Sequence, residues 1–326
     1  MRGDILKKLL EAHAQGDESA FRKAALQLAA TESAAGHARI ADDLRTLVAR
    51  MPPTRGKVVD IAQPRGDLAE ILEGGHREER LKDIVLAKGT RTELLRVLDE
   101  NRARAALEVH GVQPRRRLLF HGPPGCGKTL AAAVLAGEMG LPLMTVRLAA
   151  LFSRFLGATA TQLWAVFQEM PRRPGVYLFD EFDSIGQARG DAQDVGEMRR
   201  VVTAFLQFID ADRSPSILVA ATNHAELLDR AIFRRFDVVL SFELPSQNSL
   251  EELLTLRLPL SEFPMAFVRT LAARASGLTF ADVARACDDA LRSMVLAGEA
   301  KLRDQDLIVA FDAAARRAIE QPRLLA

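Results

Sequence analysis

The amino-acid sequence predicts an α/β protein in which a parallel β-sheet carries helices on both faces and is followed by a smaller helical domain. Two observations carry this prediction. Between residues 81 and 245, short apolar runs alternate with longer runs of helical periodicity, the pattern of a sheet covered on both sides. After Pro245 the apolar runs typical of strands disappear, and residues 246–326 show only helical periodicity.

A small helical module is expected before the sheet. Apolar residues recur at helical spacing within residues 1–50, as at Ile40 and Leu44. The proline pair Pro52-Pro53 interrupts this pattern, and polar, glycine-containing sequence follows it. We therefore predict a linker over residues 51–80.

Five strands are expected in the sheet domain. Each is a short apolar run bounded by polar or glycine-containing sequence. The predicted strands lie at residues 117–120, 143–148, 175–179, 216–221 and 238–242. Helices are predicted over residues 92–109 and 130–139, on either side of the first strand.

Composition and charge limit the classes of function. The chain has 44 Lys and Arg against 43 Asp and Glu, and this near-neutral balance disfavours a role that depends on nucleic acid or on an anionic membrane. Its two cysteines, Cys126 and Cys287, form no disulfide framework and fit a reducing compartment. No apolar run reaches the length of a membrane span, and the first residues do not resemble a secretion signal. We therefore expect a soluble cytoplasmic protein.

The most specific motif is a glycine-rich loop between a predicted strand and a helix that begins near Leu130. It fits the pattern G-x-x-x-x-G-K-[ST]. The loop consists of Gly122, Pro123, Pro124, Gly125, Cys126, Gly127, Lys128 and Thr129. Its glycines let backbone N–H groups surround phosphate oxygens, Lys128 supplies a charge to the β and γ phosphates, and Thr129 supplies a hydroxyl to Mg²⁺. A chance glycine-rich turn is the alternative, which the flanking strand and helix disfavour.

Two acidic residues end the third predicted strand. Because Asp180 and Glu181 directly follow an apolar run, they are expected at the carboxyl edge of the sheet, where ligands bind. Asp180 is the candidate to hold Mg²⁺ through water, and Glu181 is the candidate to orient and deprotonate the attacking water. A solvated strand end before a helix N-terminus is the alternative, since acids are favourable there too. The phosphate loop upstream favours the catalytic interpretation.

The order of these motifs resembles the AAA+ ATPases over about residues 81–326, with the Ala221-Thr222-Asn223 segment as a third match. Residues 228–237 resemble the second homology region of the subgroup that includes katanin, spastin and the membrane-bound AAA proteases. More narrowly, the chain resembles bacterial stand-alone AAA ATPases whose genes often lie beside a gene for a subtilisin-like protease. The resemblance implies that residues 81–245 bind ATP and that residues 246–326 form a lid.

The resemblance also implies further catalytic residues. Asn223 corresponds to an amide at the end of the fourth strand that hydrogen-bonds the attacking water or the γ-phosphate. Taken alone, an Asn that begins a turn is the commoner explanation. Arg234 and Arg235 correspond to arginine fingers that reach the γ-phosphate held by a neighbouring subunit. The two are adjacent here, whereas the subgroup has residues between them, so the choice of the principal finger stays open. Solvated surface arginines are the alternative.

Residues around the adenine base are implied in the same way. Asp83, Ile84 and Val85 correspond to the start of the adenine pocket. Ala281 corresponds to a small lid residue that approaches the nucleotide, but Phe280 stands where the subgroup usually has glycine. Phe280 either stacks near the adenosine or belongs to the lid core, and the core is favoured.

A loop that contacts the substrate is predicted after the second strand. Phe155, Leu156 and Gly157 resemble the aromatic-hydrophobic-glycine pore loop of AAA rings that translocate proteins, in which a ring contacts many side chains with little sequence preference. The alternative is that Phe155 and Leu156 are core residues at the end of a helix. Residues 189–197 correspond to the second pore-loop region.

Three functions are compatible with these motifs. The first is a homo-oligomeric ring, a hexamer by the family norm, that hydrolyses Mg-ATP and threads protein substrates through its pore, with a subtilisin-like protease as a potential partner. The second is a nucleic-acid-directed motor or loader, which the near-neutral charge and the lack of a basic module disfavour. The third is a nucleotide-binding scaffold without turnover, which the presence of Glu181, Asn223 and both arginines disfavours. No membrane partner is expected.

Overall fold

The computed structural model divides the chain into two compact units, Met1–Ile61 and Ala62–Ala326. The described residues are 24–29, single positions between 31 and 46, and the ranges 68–148, 159–185, 192–258 and 263–324. In the first unit residues 24–29 are helical. Most of the helical module predicted at residues 1–50 lies outside the described residues.

A six-stranded sheet forms the centre of the second unit. The strands are β1 Leu72–Gly75, β2 Arg117–His121, β3 Leu143–Val146, β4 Val176–Phe179, β5 Ile217–Thr222 and β6 Val238–Ser241. Their order across the sheet is β1-β3-β4-β5-β2-β6. Strands β2 to β6 pair in parallel. The predicted α/β fold is confirmed, and each predicted strand agrees with the observed one to within two residues.

The first strand lies within residues 51–80, which the sequence predicted to be a linker, so that prediction is wrong for this part of the range. Leu72–Gly75 pairs antiparallel with β3, with Leu72 opposite Val146, so the sheet is mixed. One helical turn, α1 Leu68–Ile71, precedes it. The Leu-Glu-Gly-Gly sequence gives no strand pattern, since only its first residue is buried and glycine is disfavoured in strands. Hydrogen bonds to the edge of β3 supply the stabilisation that these side chains lack.

Helices surround the sheet and form the lid. In the sheet domain they are α2 Lys88–Arg102, α3 Arg104–Val109, α4 Lys128–Met139, α5 Thr159–Glu169, α6 Ala192–Ala211 and α7 Arg230–Phe233. In the lid they are α8 Gln247–Arg257, α9 Met265–Arg274, α10 Phe280–Leu296 and α11 Asp304–Leu324. Across the described ranges, none of the helices combines the length and the apolar character needed to cross a membrane.

The single helix predicted at residues 92–109 is divided in two, α2 and α3, at Ala103. The Asn101 side chain donates hydrogen bonds to the carbonyl oxygens of Val97, at 2.9 Å, and Arg115, at 2.8 Å. These bonds fix the end of α2 to the segment that enters β2. The tertiary contact therefore ends a helix that local periodicity alone would continue.

Two hydrophobic cores lie on opposite faces of the sheet, and β4 contributes to both. Tyr177 and Phe179 pack in one core, and Val176 and Leu178 pack in the other. All four side chains are fully buried. Because both faces are covered, the strand reads as a continuous apolar run rather than an alternating one.

The lid has a third core of its own, made mainly by α8 to α11. The segment that leads into α2 connects this core to the sheet domain. Ile84 packs in a sheet core, whereas the next residue, Val85, packs in the lid core. Two adjacent residues thus join the lid to the sheet domain.

The chain between β1 and α2 passes closely over the carboxyl-terminal end of α4. The backbone N–H of Leu81 donates to a Glu138 carboxylate oxygen at 3.0 Å, and Arg102 pairs with the other oxygen at 3.2 Å. A Cβ at Gly137 would overlap the carbonyl oxygen of Glu79. The close approach therefore requires a glycine inside α4, where glycine is about 1 kcal/mol less favourable than alanine.

We predict that Gly137→Ala lowers the free energy of unfolding by about 1–3 kcal/mol, because the overlap outweighs the better helix propensity of alanine. Gly89→Ala, in α2, is the matched control, since a Cβ there meets no atom within 4 Å. Urea denaturation followed by circular dichroism would measure both variants. Equal stability of the two variants would contradict the close contact.

Candidate active site

The glycine-rich loop connects β2 to α4 at the carboxyl edge of the sheet. Gly122 has a φ of 138°, and a Cβ there would overlap the backbone of Phe242. Gly127 caps α4 with a φ of 94°. Side chains are strained in such conformations, so both positions require glycine. The loop is therefore held against a neighbouring strand end, with the N-terminus of α4 available for an anion.

Lys128 begins α4 and is only 7% exposed. Its Nζ donates hydrogen bonds to the carbonyl oxygens of Gly122, at 2.6 Å, and Pro123, at 2.8 Å. Burial lowers the pKa of Lys128, and the negative charge of Asp180 partly opposes this effect. A bound anion would favour the ammonium form further. The side chain is thus suited to a phosphate ligand.

Thr129 and Asp180 form the predicted metal site. The Thr129 hydroxyl donates to an Asp180 carboxylate oxygen at 2.9 Å, although the two residues come from α4 and from the end of β4. Hydroxyl and carboxylate oxygens fit Mg²⁺, which takes few protein ligands in nucleotide sites and completes its shell with water and phosphate. In the part of the chain that the structure describes, no cluster of three His, Cys, Asp or Glu could hold a metal by itself.

Glu181 follows Asp180 in an unusual backbone conformation. Its φ of 51° is the only positive value at a non-glycine residue in the described ranges. Its backbone N–H donates to the second Asp180 oxygen at 3.0 Å. The left-handed conformation costs on the order of 1 kcal/mol, and such strain concentrates at functional sites.

Asp183 is a site residue that the sequence analysis missed. Its buried carboxylate accepts hydrogen bonds from the Thr222 hydroxyl, at 2.9 Å, and from the backbone N–H of Asn223, at 3.2 Å. The same hydroxyl accepts from the N–H of His224 at 3.0 Å. Asp183 thus fixes Asn223 relative to the acidic pair. Its position two residues after Glu181 could have made Asp183 a candidate, but a sequence alone does not show that it hydrogen-bonds residues at the end of β5.

The predicted residues surround a cavity of about 710 Å³ between the sheet domain and the lid, a volume in the range of small-molecule sites. The predicted lining residues are Asp83, Ile84, Val85, Pro124, Gly125, Cys126, Gly127, Lys128, Thr129, Leu130, Asp180, Glu181, Asn223 and Ala281. Gly122 and Pro123 lie behind this lining and hold Lys128 through their carbonyl oxygens. Residues from five separate segments therefore meet at one cavity.

The lid side of the cavity was largely missed from the sequence. The additional lining residues from the lid are Leu253, Leu256, Arg257, Phe280 and Ala284, and Lys82 is added from the segment before α2. Helical periodicity identified α8 as a lid helix, but it does not show which residues face another domain. Phe280 lines the cavity and also packs partly against the lid core. The structure thus places the Phe280 ring at the cavity wall and against the edge of the lid core.

A direct hydrogen bond joins the lid to the phosphate loop. The backbone N–H of Ala281 donates to the carbonyl oxygen of Gly125 at 3.1 Å. Thr279 and Asp282 form a capping box that begins α10 at this point. The N-terminus of α10 is thus fixed beside the loop, and movement of the lid would change the shape of the cavity.

The structure does not bring Arg234 and Arg235 to this cavity. The two arginines lie just before β6. Val238, the first residue of β6, is opposite Leu118 near the beginning of β2. The phosphate loop instead follows the end of β2. Parallel strands place these positions at opposite edges of the sheet. Phe155, Leu156 and Gly157 lie outside the described residues.

Comparison with known proteins decides the family. Residues 118–244 match the profile described as "ATPase family associated with various cellular activities (AAA)". The chain is 36% identical over 332 residues to an "Uncharacterized AAA family ATPase y4kL" of Sinorhizobium fredii, covering 99% of this chain and 98% of that protein. The chain belongs to the AAA family. It is an ATPase.

Shorter similarities connect this AAA ATPase to larger proteins. It is 31% identical over 214 residues to the "ATP-dependent zinc metalloprotease FtsH" of Parabacteroides distasonis, which covers 63% of this chain but 31% of that protein. For "ATP-dependent zinc metalloprotease FtsH 2" of Sphaerobacter thermophilus, the identity is 29% over 251 residues, which is 74% of this chain and 38% of that protein. The chain therefore spans less than half of these metalloproteases.

We predict that alkylation of Cys126 slows ATP hydrolysis and that bound ATP protects the thiol, because an adduct would occupy the phosphate loop. Cys126 is 2% exposed, and burial raises the pKa of its thiol. Since the thiolate is the reactive form, alkylation by iodoacetamide should accelerate as the pH rises. Mass spectrometry would follow modification in parallel with an ATPase assay.

The second cysteine provides the control. Burial raises the pKa of Cys287 to about 12, and this residue does not line the cavity. Cys287→Ala should therefore leave inhibition by iodoacetamide unchanged, whereas Cys126→Ala should abolish it. Full modification of Cys126 with an unchanged rate would show that this part of the loop tolerates an adduct.

Proposed function

We propose that the protein works as a homo-oligomeric ring, a hexamer, that hydrolyses Mg-ATP and remodels or unfolds protein substrates by threading them through a central pore. The observation that carries this proposal is the separation of Arg234 and Arg235 from the cavity of their own chain. Arginines that complete a γ-phosphate site are worth about 10³–10⁵ in kcat. A second copy of the chain would supply them.

The surroundings of the two arginines support action on another subunit. Arg235 pairs with Asp210 at 3.3 Å, and both side chains are 45% exposed. Such exposed pairs contribute about 0–1 kcal/mol, so a phosphate would displace the carboxylate readily. Arg234 is exposed and forms no ion pair with any described residue. We assign it as the principal finger because no ion pair with a described residue has to be broken first.

Within one subunit, the cavity residues divide the hydrolysis between them. Lys128 would bind the β and γ phosphates, and Thr129 with Asp180 would hold Mg²⁺, which neutralises charge on the phosphate oxygens. Glu181 would take a proton from the attacking water, and Asn223 would orient that water. Asp183 keeps Asn223 in place through the Thr222 hydroxyl and the backbone.

A protein substrate is supported by two features. The relatives named as ATP-dependent metalloproteases act on proteins, and Phe155-Leu156-Gly157 resembles a protein-translocating pore loop. The sequence contains no H-E-x-x-H motif, the zinc-binding signature of a class of metalloproteases, and we propose that any proteolytic step is carried out by a partner protein. We propose a cytoplasmic subtilisin-like protease as that partner, in keeping with the resemblance to stand-alone AAA ATPases of the katanin and spastin subgroup.

We predict that Glu181→Gln lowers kcat by about 10²–10⁴-fold, because the amide cannot accept a proton. ATP should stay bound, since Lys128 and the metal site are intact. Turnover assays and filter binding of radiolabelled ATP would measure the two effects. Glu78→Gln makes the same change of charge at an exposed residue outside the cavity and should turn over normally. Undiminished turnover in Glu181→Gln would remove Glu181 from its assigned role.

We predict that a permanently unfolded protein raises the steady-state ATPase rate and that single-stranded DNA does not. Threading couples turnover to a polypeptide, and the chain as a whole has no excess of positive charge for DNA. The measurement is an ATPase titration with each polymer at the same salt concentration, with a folded protein as the control. Stimulation by DNA alone would instead favour a nucleic-acid-directed motor.

A further inference from the structure

Glu181 and the arginine pair Arg234-Arg235 are each followed by a phenylalanine, and the rings of these two phenylalanines contact each other. Phe182 directly follows Glu181 at the nucleotide cavity, and Phe236 directly follows Arg234-Arg235 at the opposite edge of the sheet. The centres of the two rings are 6.4 Å apart, with an interplanar angle of 88°. This is an edge-to-face contact, the geometry that aromatic pairs favour.

The contact is buried at both ends. Phe182 is 0% exposed and Phe236 is 8% exposed, and both belong to the same sheet core. Phe182 also packs against Phe205, with ring centres 4.8 Å apart, and Phe205 packs against Phe179 at 5.3 Å. Because packed interiors have little free volume, a shift of Phe182 displaces its neighbours rather than being absorbed.

On the Glu181 side of the contact, Phe182 directly follows a residue with a strained backbone conformation. Glu181 has a φ of 51°, and a single 3₁₀ turn, Phe182–Ile185, follows it. A change in the hydrogen bonds of Glu181 would release or increase this strain, and the adjacent Phe182 would move with the backbone. The state of the cavity is thus linked to the position of one buried ring.

On the side of the arginines, the flanking residues are held by the same core and by backbone hydrogen bonds: Ile232 is buried in that core, and the N–H of Arg235 donates to the carbonyl oxygen of Ile232 at 3.0 Å. The Asp237 carboxylate accepts the backbone N–H groups of Arg116, at 2.9 Å, and Arg117, at 3.0 Å, and so anchors the chain after Phe236. The Arg235 ion pair is exposed and weak. Phe236 is the buried side chain that directly follows the two arginines, and its contact with Phe182 connects their position to that of Glu181.

We infer that Phe182 and Phe236 are positioning residues that couple the nucleotide cavity of one subunit to the arginines it presents to the next. The contact would transmit a change at Glu181 to the two arginines through Phe182 and Phe236, without rearrangement of the sheet. This inference rests on the proposed action of Arg234 and Arg235 on a neighbouring subunit, and the test separates the two.

The test uses mixed assemblies of two inactive variants. The acceptor chain carries Arg234→Ala and Arg235→Ala, so it retains a complete cavity but lacks fingers. The donor chain carries Glu181→Gln, so it binds ATP and retains its fingers but does not hydrolyse. Mixing with the donor in excess should restore ATP hydrolysis in the acceptor cavities. No restoration with this parent pair would refute the action in trans, and the inference with it.

Phe182→Leu is then added to the donor chain alone. Its cavity is already inactive, so the change cannot act by slowing hydrolysis in the donor itself. We expect the restored kcat to fall by roughly tenfold or more, since a small misplacement of a catalytic group costs up to about 100-fold, while the KM for ATP stays unchanged. Phe236→Leu in the donor should do the same. Full restoration by a donor with Phe182→Leu would overturn the inference.

Two controls separate positioning from loss of stability. Phe263→Leu in the donor removes an equally buried ring that stacks on Phe267 in the lid. An equal loss with Phe263→Leu would overturn the assignment. Phe182→Met keeps most of the volume of the ring. The thermal unfolding midpoints of this variant and of the other donors would exclude a donor that has failed to fold.

Discussion

The parallel pairing of β5 with β4 on one side and β2 on the other is the constraint on which the site depends. Phe179 of β4 is opposite Ala220, and Phe120 of β2 is opposite the next residue, Ala221. The three strands consequently end within about two residues of one another, and the loops that follow them start at the same edge. Shifting any of these strands by one residue would turn its side chains to the other face.

Short-range contacts then convert this edge into a site. The hydroxyl of Thr129, in α4, donates a hydrogen bond to Asp180, and Asp183 accepts one from the hydroxyl of Thr222 at the end of β5. The lid adds the remaining wall because Ile84 and Val85 pack into different cores. The strain at Glu181 is sustained by the buried Phe182 that follows it. Buried packing and hydrogen bonds around the site therefore outweigh one unfavourable backbone conformation.

The opposite edge of the sheet has a different character. There Arg234 and Arg235 are exposed, and their only carboxylate partner among the described residues is the half-exposed Asp210. The buried ion pair of Arg116 with Asp212 lies close by, which shows that this part of the molecule can sequester an arginine completely. The two arginines before β6 remain accessible instead. This contrast between buried and accessible arginines supports the proposed action of Arg234 and Arg235 on a neighbouring subunit.

The sequence alone was enough to predict the five parallel strands, the phosphate loop and the acidic pair, because each is a local pattern: an apolar run, a glycine spacing, or acids at a strand end. It did not determine β1, whose Leu-Glu-Gly-Gly sequence is stabilised only by pairing with β3. Nor did it determine Asp183 as the partner of Asn223, or the lid residues Leu253 and Arg257 at the cavity. Those contacts join segments far apart in the chain. Only the packing of the sheet and lid decides which of their side chains meet.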